Sequence, residues 1–480
     1  MHFFSFRRAL LLLVICLFLS SCVSTISPED ISSDALKQVS TDLPSLEGSQ
    51  IEWQPSHYLA LDAKPWWVEF EDSTLHQLIK VALENSKTIH LSIARLEEVM
   101  ANARVSYADR LPTLGLTGQA GVSSADLESG GLQSNPARTN TASINFAAAW
   151  QTDLFGRLRN ISAASKASLQ AEASRVRDAQ RLLVGQAVQS YYNLVSVRKR
   201  LGVTDSSVRR RSENVERIDQ LLKQGYATAL DKTRADSQLY EARALLAQLE
   251  LDEATLLNQL AVLSGINAFE ARNLLKVTGE LVVPRRSAPL PSIPLLVQHR
   301  PDLRAVERDL VAAAYNVNAS LAALYPTLGF SVNLGKGADG GLTGAFPALD
   351  VITGGLLATI AVPILGRGRL LAGVDVDSAR LQQAHATFEL TALGVISELD
   401  TSIISIDKNR TIYEQRELAS GSAREAAELS KELFKAGELD YTSVILAEQT
   451  RVSAETNAIN AQQALLLAYI TYLSAVAPAW

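Results

Sequence analysis

Leu111-Pro112-Thr113-Leu114-Gly115-Leu116 in the first half of the chain is answered by Tyr325-Pro326-Thr327-Leu328-Gly329-Phe330, 214 positions later. The agreement continues in the same order. Leu154-Phe155-Gly156-Arg157-Leu158-Arg159 returns as Ile364-Leu365-Gly366-Arg367-Gly368-Arg369 at an offset of 210. Leu222-Lys223-Gln224-Gly225 returns as Phe434-Lys435-Ala436-Gly437 at an offset of 212. Three landmarks at nearly constant spacing make the chain an internal duplication. The repeats run over 73–264 and 301–474, joined by a linker at 265–300, with a segment of its own at 22–72 and a tail at 475–480.

Each repeat changes period in the same places. Leu75 to Arg110 has helical patterning, which Pro112 ends by pushing the preceding residue out of the helical region. Leu114 to Val122 is a strand candidate, Ser123 to Asn140 a loop rich in Gly, Ser and Asn, and Thr141 to Trp150 a second strand. In that second strand Ile144, Phe146, Ala148 and Trp150 share one face, while Ser143 and Asn145 lie on the other. The second repeat offers strands near Thr327–Leu334 and Gly355–Val362 around a loop at Gly335–Ala348. The hairpins therefore span 111–150 and 325–363, with strands expected at roughly 8–10 residues.

Long helical stretches follow each hairpin, over 156–264 and 366–474. Runs without proline extend from Gly156 to about Arg200 and from Ser206 to Ser264, far beyond the 11–12 residues of an average helix. Leu239, Leu246 and Leu260 share one heptad position, and Ala242, Leu249, Leu256 and Leu263 the other, with Glu253 interrupting the first. This is a coiled-coil seam. Helix-to-helix turns are expected near Arg198–Asp205 and near Asp400–Arg410, the latter around Asp407-Lys408-Asn409.

The 480 residues carry 45 basic and 51 acidic side chains, a formal net charge of -6. That balance leaves no electrostatic footprint for nucleic acid. Six His and two Cys exclude a disulfide framework and a Cys-built zinc site, and no phosphate-binding glycine loop is present. No catalytic constellation emerges, so the expectation is a protein that is not an enzyme and holds no metal.

Residues 1–21 read as an export signal: Arg7 and Arg8 precede an apolar run from Ala9 to Leu19, too short to span a membrane. Leu19-Ser20-Ser21-Cys22 then resembles the bacterial lipoprotein signal, making Cys22 the expected site of covalent lipid such as palmitate. Val23 in place of Asp resembles lipoproteins sent on to the outer membrane. Several acyl chains on one residue give a stable anchor.

Hairpins of this length are marginal in water but suited to crossing a membrane, where no open edge is tolerated. Four strands cannot close a barrel alone, so several copies of the chain must contribute. Three copies would give twelve strands, and two or four would also satisfy the even-number rule.

The mature chain resembles the outer-membrane factor family, the TolC-like exit ducts, and within it the lipoprotein branch of drug-efflux channels. The resemblance covers 60–480 and rests on Trp66-Trp67 with Phe70-Glu71-Asp72 and Leu75, on Asp153 to Arg157, on Arg300-Pro301-Asp302-Leu303-Arg304 with Glu307, on Tyr325-Pro326, and on Pro363 to Gly368. It implies a mixed α/β membrane protein. A transmembrane β-barrel completed by trimerisation, with four strands per chain, is continued by a long periplasmic α-helical coiled-coil barrel. An equatorial domain would draw on residues near 30–70, 265–300 and the C-terminal end. The chain departs from that branch at Ala475 to Ala479, where a glycine triplet usually precedes the final Trp.

By this resemblance the chain is a passive outer-membrane duct of a tripartite efflux pump, exporting small amphipathic compounds or drugs. Its partners would be two further copies, a periplasmic adaptor, a proton-driven inner-membrane pump and outer-membrane lipid, but no nucleic acid. A duct for secreted polypeptides and a non-conducting structural lipoprotein are the alternatives. A periplasmic gate is implied on the helix leading into the second turn, with Asp400 and Asp407 as a charge ring and Arg410, Tyr413 and Arg416 as locking partners. Adaptor docking is implied around Gly225 and Gly437. The basic runs Arg198-Lys199-Arg200 and Arg209-Arg210-Arg211 suit an adaptor surface better than a nucleic acid. Gly156 and Gly366 occupy the strand-to-helix junctions, where Arg157 and Arg367 would line the lumen or sit at headgroup level.

Overall fold

The computed structural model describes residues 26–41, 65–125, 137–282, 299–340 and 351–476. The export signal, Cys22 and the last four residues of the tail lie outside the described residues. In chain order the elements are α1 (Pro28–Thr41), a 3-10 turn (Trp66–Phe70), α2 (Ser73–Asn85), α3 (Lys87–Ala108), β1 (Thr113–Ala125) and β2 (Ala137–Thr152). There follow α4 (Arg157–Lys223), α5 (Ala229–Ser264), α6 (Ala268–Leu274), α7 (Pro301–Ala322), β3 (Thr327–Gly340), β4 (Val351–Ala361), α8 (Arg367–Ala436) and α9 (Tyr441–Val476).

Two compact units are present, one from residues 1–38, 98–171 and 306–388, the other from 39–97, 172–305 and 389–480. This division cuts across the duplication, since each unit takes a part of both repeats. In the first unit the two hairpins merge into one antiparallel sheet of order β1-β2-β3-β4, with Phe146 of β2 opposite Leu334 of β3. Small residues join its helices: Ala167 of α4 packs on Val311 and Ala312 of α7, and Ser165 donates to Ser106 of α3 at 2.9 Å.

The strands are longer than the sequence pattern suggests, at 13, 16, 14 and 11 residues. The expected loops begin inside them, because β1 stays paired with β2 through Ser123 to Ala125 and β3 stays paired with β2 through Gly335 to Gly340. Ladder hydrogen bonds use the backbone, so Gly and Ser need not end a strand whose neighbour continues.

The second unit has an aromatic and aliphatic core. Trp66, Trp67 and Phe70 pack with Leu75, Leu78 and Ile79 of α2, Tyr191 and Tyr192 of α4, Leu257 and Leu260 of α5, and Leu466 and Ile470 of α9. Asp72 caps α2 by accepting from the Thr74 and Leu75 N–H groups, and also accepts from the Tyr191 hydroxyl at 2.5 Å. That hydroxyl in turn accepts from the Gly279 N–H at 2.9 Å. The phenol is held above its ordinary range by burial and by Asp72. The predicted seam is buried at Leu239, Ala242, Leu249 and Leu260, and its exception, Glu253, pairs with Arg198 at 2.7 Å.

The turn positions need correction. α4 passes uninterrupted through Arg198–Asp205, and α8 passes through Asp400–Arg410. Charged and polar residues cost a helix little, Gly202 adds only about 1 kcal/mol, and no proline stands in either stretch. Here Thr204, Ser402 and Ile406 are buried and hold both stretches in packed helix. The chain reverses later, at Gly225 and Gly437. The helical stretch from Leu75 also breaks once, at Ser86, between α2 and α3.

Arg300 fastens the start of α7 to two distant segments and is only 3% exposed. It forks onto Asp302 at 3.1 and 2.7 Å and donates to Glu398 of α8 at 2.9 Å and to the Ala475 carbonyl of α9 at 3.1 Å. Burial works to raise the Asp302 carboxyl, but Arg300 and Arg181 outweigh it, and Asp302 titrates below its ordinary range. Replacing Arg300→Met removes the ion pair from Asp302, which keeps the Leu303 N–H and Arg181, and removes this donor from the Ala475 carbonyl, at a cost of up to about 3–5 kcal/mol. A lowered urea midpoint for the detergent-solubilised chain is expected, and an unchanged midpoint would show the network contributes little.

Candidate functional site

The sheet supplies the first functional surface. Directly paired residues of antiparallel strands share a face, so the register sorts every side chain. One face carries Leu114 and Leu116 of β1, Ile144, Phe146 and Trp150 of β2, Phe330, Val332 and Leu334 of β3, and Leu356 and Ile360 of β4, with Lys336, opposite Ile144, as its charged exception. The other carries Thr113, Thr117 and Gln119, then Ser143 and Asn145, then Ser331 and Asn333, then Thr353 and Thr359; Leu357 is its large apolar exception.

The apolar face is bare within one chain, with Leu116 70% exposed. Such a contiguous apolar surface must meet lipid or a partner. The opposite face offers hydroxyls and amides, as an aqueous conduit wall requires. Trp150 stacks on Phe330 at 6.3 Å and donates from its indole N–H to the Arg110 carbonyl at 3.1 Å, close to the helical end of the strands. A ring with an apolar body and a hydrogen-bonding tip suits a membrane interface.

The strand-to-helix junctions lie where the sequence puts them. Gly156 and Gly366 have φ of 81° and 91°, and Arg157 and Arg367 are the first residues of α4 and α8. Asp153 accepts from the Leu158 and Arg159 N–H groups at 3.0 and 2.7 Å, closing the start of α4, and Phe155 stacks on Tyr325 at 4.9 Å. The sequence landmarks Leu154–Arg159 and Tyr325-Pro326 are thus parts of one corner.

Gly225 and Gly437 end α4 and α8 in the left-handed region, with φ of 80° and 78°. Their N–H groups return to Leu222 and Phe434, and the next N–H groups, of Tyr226 and Glu438, return to Leu221 and Leu433. This is the Schellman pattern, in which a residue without Cβ takes the left-handed position. The following helices start on Thr228, which forms a reciprocal capping box with Asp231, and on Asp440, which accepts from the Ser443 N–H at 2.7 Å. The duplication therefore reaches the hydrogen bonds of both turns.

Ion pairs brace each hairpin behind its turn. Asp219 lies 2.6 Å from both Lys223 and Lys232, whose hydrogen bonds pull its pKa down to about 2. In the second hairpin Glu448 takes Lys431 at 2.6 Å and Arg451 at 3.0 Å, while Glu455 takes Arg451 at 2.8 Å and Arg424 at 3.3 Å. Sequence reading missed this group, although its i, i+3 and i, i+4 spacings were visible.

The expected gate residues lie on α8, 36 and 29 residues before the end of the helix at Ala436 for Asp400 and Asp407. At 1.5 Å per residue that is about 54 and 44 Å of helix, so neither stands at a turn. Asp400 is half-buried, and Asp407 is exposed and pairs with Lys408 at 2.9 Å. Arg410 donates to the Tyr469 hydroxyl and lies 6.0 Å from that ring's centroid. Burial and Glu417 raise the Tyr413 phenol above its usual range, and Arg416 lines a groove with Gln449, Ser453 and Asn457. The five residues are not brought into one cluster.

The basic runs are largely absorbed within the fold. Arg198 binds Glu253 and the Leu275 carbonyl, Arg209 pairs with Asp205, Arg210 reaches Glu448 at 4.0 Å, and Arg211 donates to the Gln238 carbonyl at 2.7 Å. Among the described residues no group of three His, Cys, Asp or Glu side chains could hold a metal ion. No described helix is long and apolar enough to cross a membrane.

A sheet with one lipid-type and one aqueous face, joined at glycine corners to helices of 67 and 70 residues, defines a transport channel rather than a catalyst. The chain belongs to the outer membrane efflux protein family, whose model matches residues 78–266 and 292–476. It is an outer-membrane exit duct of the tripartite-efflux type with a long periplasmic helical region, and the channels of this family are non-catalytic.

Among its relatives, the pyoverdine export outer membrane protein OpmQ of Pseudomonas aeruginosa is 27% identical, over 98% of this chain and 97% of the relative. The cation efflux system protein CusC of Escherichia coli is 26% identical, over 86% of this chain and 88% of the relative. The outer-membrane channel OprN has the same fold at a TM-score of 0.79 and 23% identity, over 89% of this chain and 94% of the other. The CmeC channel of Campylobacter jejuni matches at a TM-score of 0.77 and 17% identity, over 90% and 94%.

The face assignment predicts an asymmetry. Phe146→Arg, on the apolar face, should destabilise the membrane-embedded form by about 2–4 kcal/mol, whereas Asn145→Arg, one residue away, should cost little. Urea unfolding in lipid vesicles reads this directly. Equal losses would mean the faces are not divided between lipid and water.

Proposed function

We propose that the chain is the lipid-anchored, homotrimeric duct of a tripartite efflux pump, passing small amphipathic compounds out of the cell. The carrying observation is the four-stranded sheet with one apolar and one polar face, whose outer strands β1 and β4 each pair on one side only among the described residues. A membrane tolerates no such edge, and a neighbouring copy can close it. Three copies of four strands give twelve, within the even range of bacterial barrels.

The lipoprotein assignment rests on Leu19-Ser20-Ser21-Cys22 behind an apolar leader, with Cys22 as the acylated residue. The duct itself supplies no energy in this reading. A proton-driven inner-membrane pump and a periplasmic adaptor deliver the cargo, and the adaptor meets the helix hairpins around Gly225 and Gly437. Relatives named for export of cations and of pyoverdine support a conduit whose selectivity lies upstream. Asp400 enters the proposal as a charged position on the duct wall, with Asp407, Arg410, Tyr413 and Arg416 further along the same helix. Three copies of its carboxylate facing one axis would favour cations there.

Mass determination and planar-bilayer recording of one detergent-extracted sample test this reading. A trimer with small, cation-selective openings is expected, and Asp400→Ala should raise conductance and weaken selectivity. A monomer, or a trimer without any pore in either form, would contradict the duct. Conductance and selectivity unchanged by Asp400→Ala would remove that residue from the wall.

A further inference from the structure

A buried amide holds the chain shortly after the expected lipid site. Asn318 of α7 is only 4% exposed. Its Oδ1 accepts from the Ile26 backbone N–H at 3.0 Å, and its Nδ2 donates to the Ile26 carbonyl at 2.8 Å. A carboxamide that meets both polar groups of one residue imitates the pairing of a neighbouring strand. Because both bonds go to backbone, they fix the position of the chain whatever side chain stands at 26. The segment continues into α1, whose Ala35 is buried.

Chain geometry sets the consequence. Ile26 lies four residues beyond Cys22, so the two Cα atoms can be no more than about 14 Å apart. Asn318 lies nine residues before Thr327, where β3 begins, and Ile26, α7 from Val306 onward and β3 belong to the same compact unit. A group attached to Cys22 would thus have its attachment point within that reach of Ile26.

We propose that Asn318 is the docking position of the lipid-bearing N-terminus, gripping Ile26 so that the acyl chains on Cys22 are delivered beside the helical end of the sheet. This rests on the lipoprotein reading of Cys22. Asn318 is a positioning residue in this scheme: it holds no lipid itself. Its grip supplies a fixed point from which the chains insert into the leaflet the sheet meets there. An unheld segment would let the anchor explore the full reach of the residues that follow it.

The test uses the full chain in lipid vesicles, with spin labels at Ser24→Cys and Thr327→Cys, in the parent, Asn318→Leu and Asn318→Asp forms. Asn318→Leu removes both bonds at nearly constant volume, and Asn318→Asp keeps the acceptor while losing the donor. The parent should give a narrow label-to-label distance distribution and a protected Ile26 amide. Asn318→Leu should broaden the distribution and speed Ile26 exchange at least tenfold, with Asn318→Asp between them. Amide protection across β3 should stay unchanged, and palmitate incorporation should be equal in all three.

A distribution and an exchange rate unmoved by Asn318→Leu would overturn the grip. Should Asn318→Leu fail to assemble, Asn318→Ala, which also removes both bonds, decides in its place, and parent-like Ile26 exchange in it overturns the proposal. Absence of palmitate from the parent chain would instead overturn the lipoprotein reading, and with it the lipid part of the inference, while a narrow distribution would still show the Asn318 contact.

Discussion

A peptide group carried into hydrocarbon must find its hydrogen-bond partner inside the protein, because no water is there to supply one. Among the described residues, β2 and β3 satisfy this on both sides, while β1 and β4 satisfy it only on the side facing the sheet interior. The apolar face from Leu116 to Ile360 commits the sheet to lipid, and the two half-paired edges then commit the chain to neighbours of its own kind. Duplication makes this economical. Two hairpins related by about 210 residues fuse through Phe146 and Leu334 into one wall segment, and copies of that segment can close on one another.

The helical unit is built on different physics. Its helices are held by a compact aromatic core around Trp66, Trp67, Tyr191 and Tyr192, and by polar fastenings that link segments remote in sequence. Arg300 joins Asp302, Glu398 and Ala475, and Tyr191 joins Asp72 to Gly279. Buried groups of this kind contribute little net energy when intact but are costly to break singly, so they specify one arrangement of long helices that could otherwise slide. The Schellman turns at Gly225 and Gly437 fix where each long helix ends, and the ion pairs of Asp219 and Glu448 hold each hairpin closed behind its turn.

Much of this was legible in the chain. The alternation of Ile144, Phe146, Ala148 and Trp150 with Ser143 and Asn145 named the two faces of β2, and the register extends that division across all four strands. The heptad seam at Leu239, Ala242, Leu249 and Leu260 became buried surface, and its misfit Glu253 found Arg198. The turns were misplaced because polar runs at Arg198–Asp205 and Asp400–Arg410 look like breaks, whereas a helix is stopped by backbone conformation. The glycines able to supply it were visible as a repeated landmark but read as docking points. Arg300, Tyr191 and Asn318 carry pairings across 98, 119 and 292 positions, and no local pattern announces contacts that only the folded chain creates.

Closure of the sheet between copies is the central claim, and disulfide trapping tests it most directly. A panel in which one cysteine on β1 is combined with one at successive positions of β4 would be oxidised in the membrane and resolved without reductant. The account predicts a ladder of one, two and three linked chains that stops at three, at pairings consistent with a single antiparallel register, because three successive antiparallel pairs leave β4 running opposite to β1. Monomers alone at every pairing, or ladders running beyond three, would contradict a barrel closed by three copies.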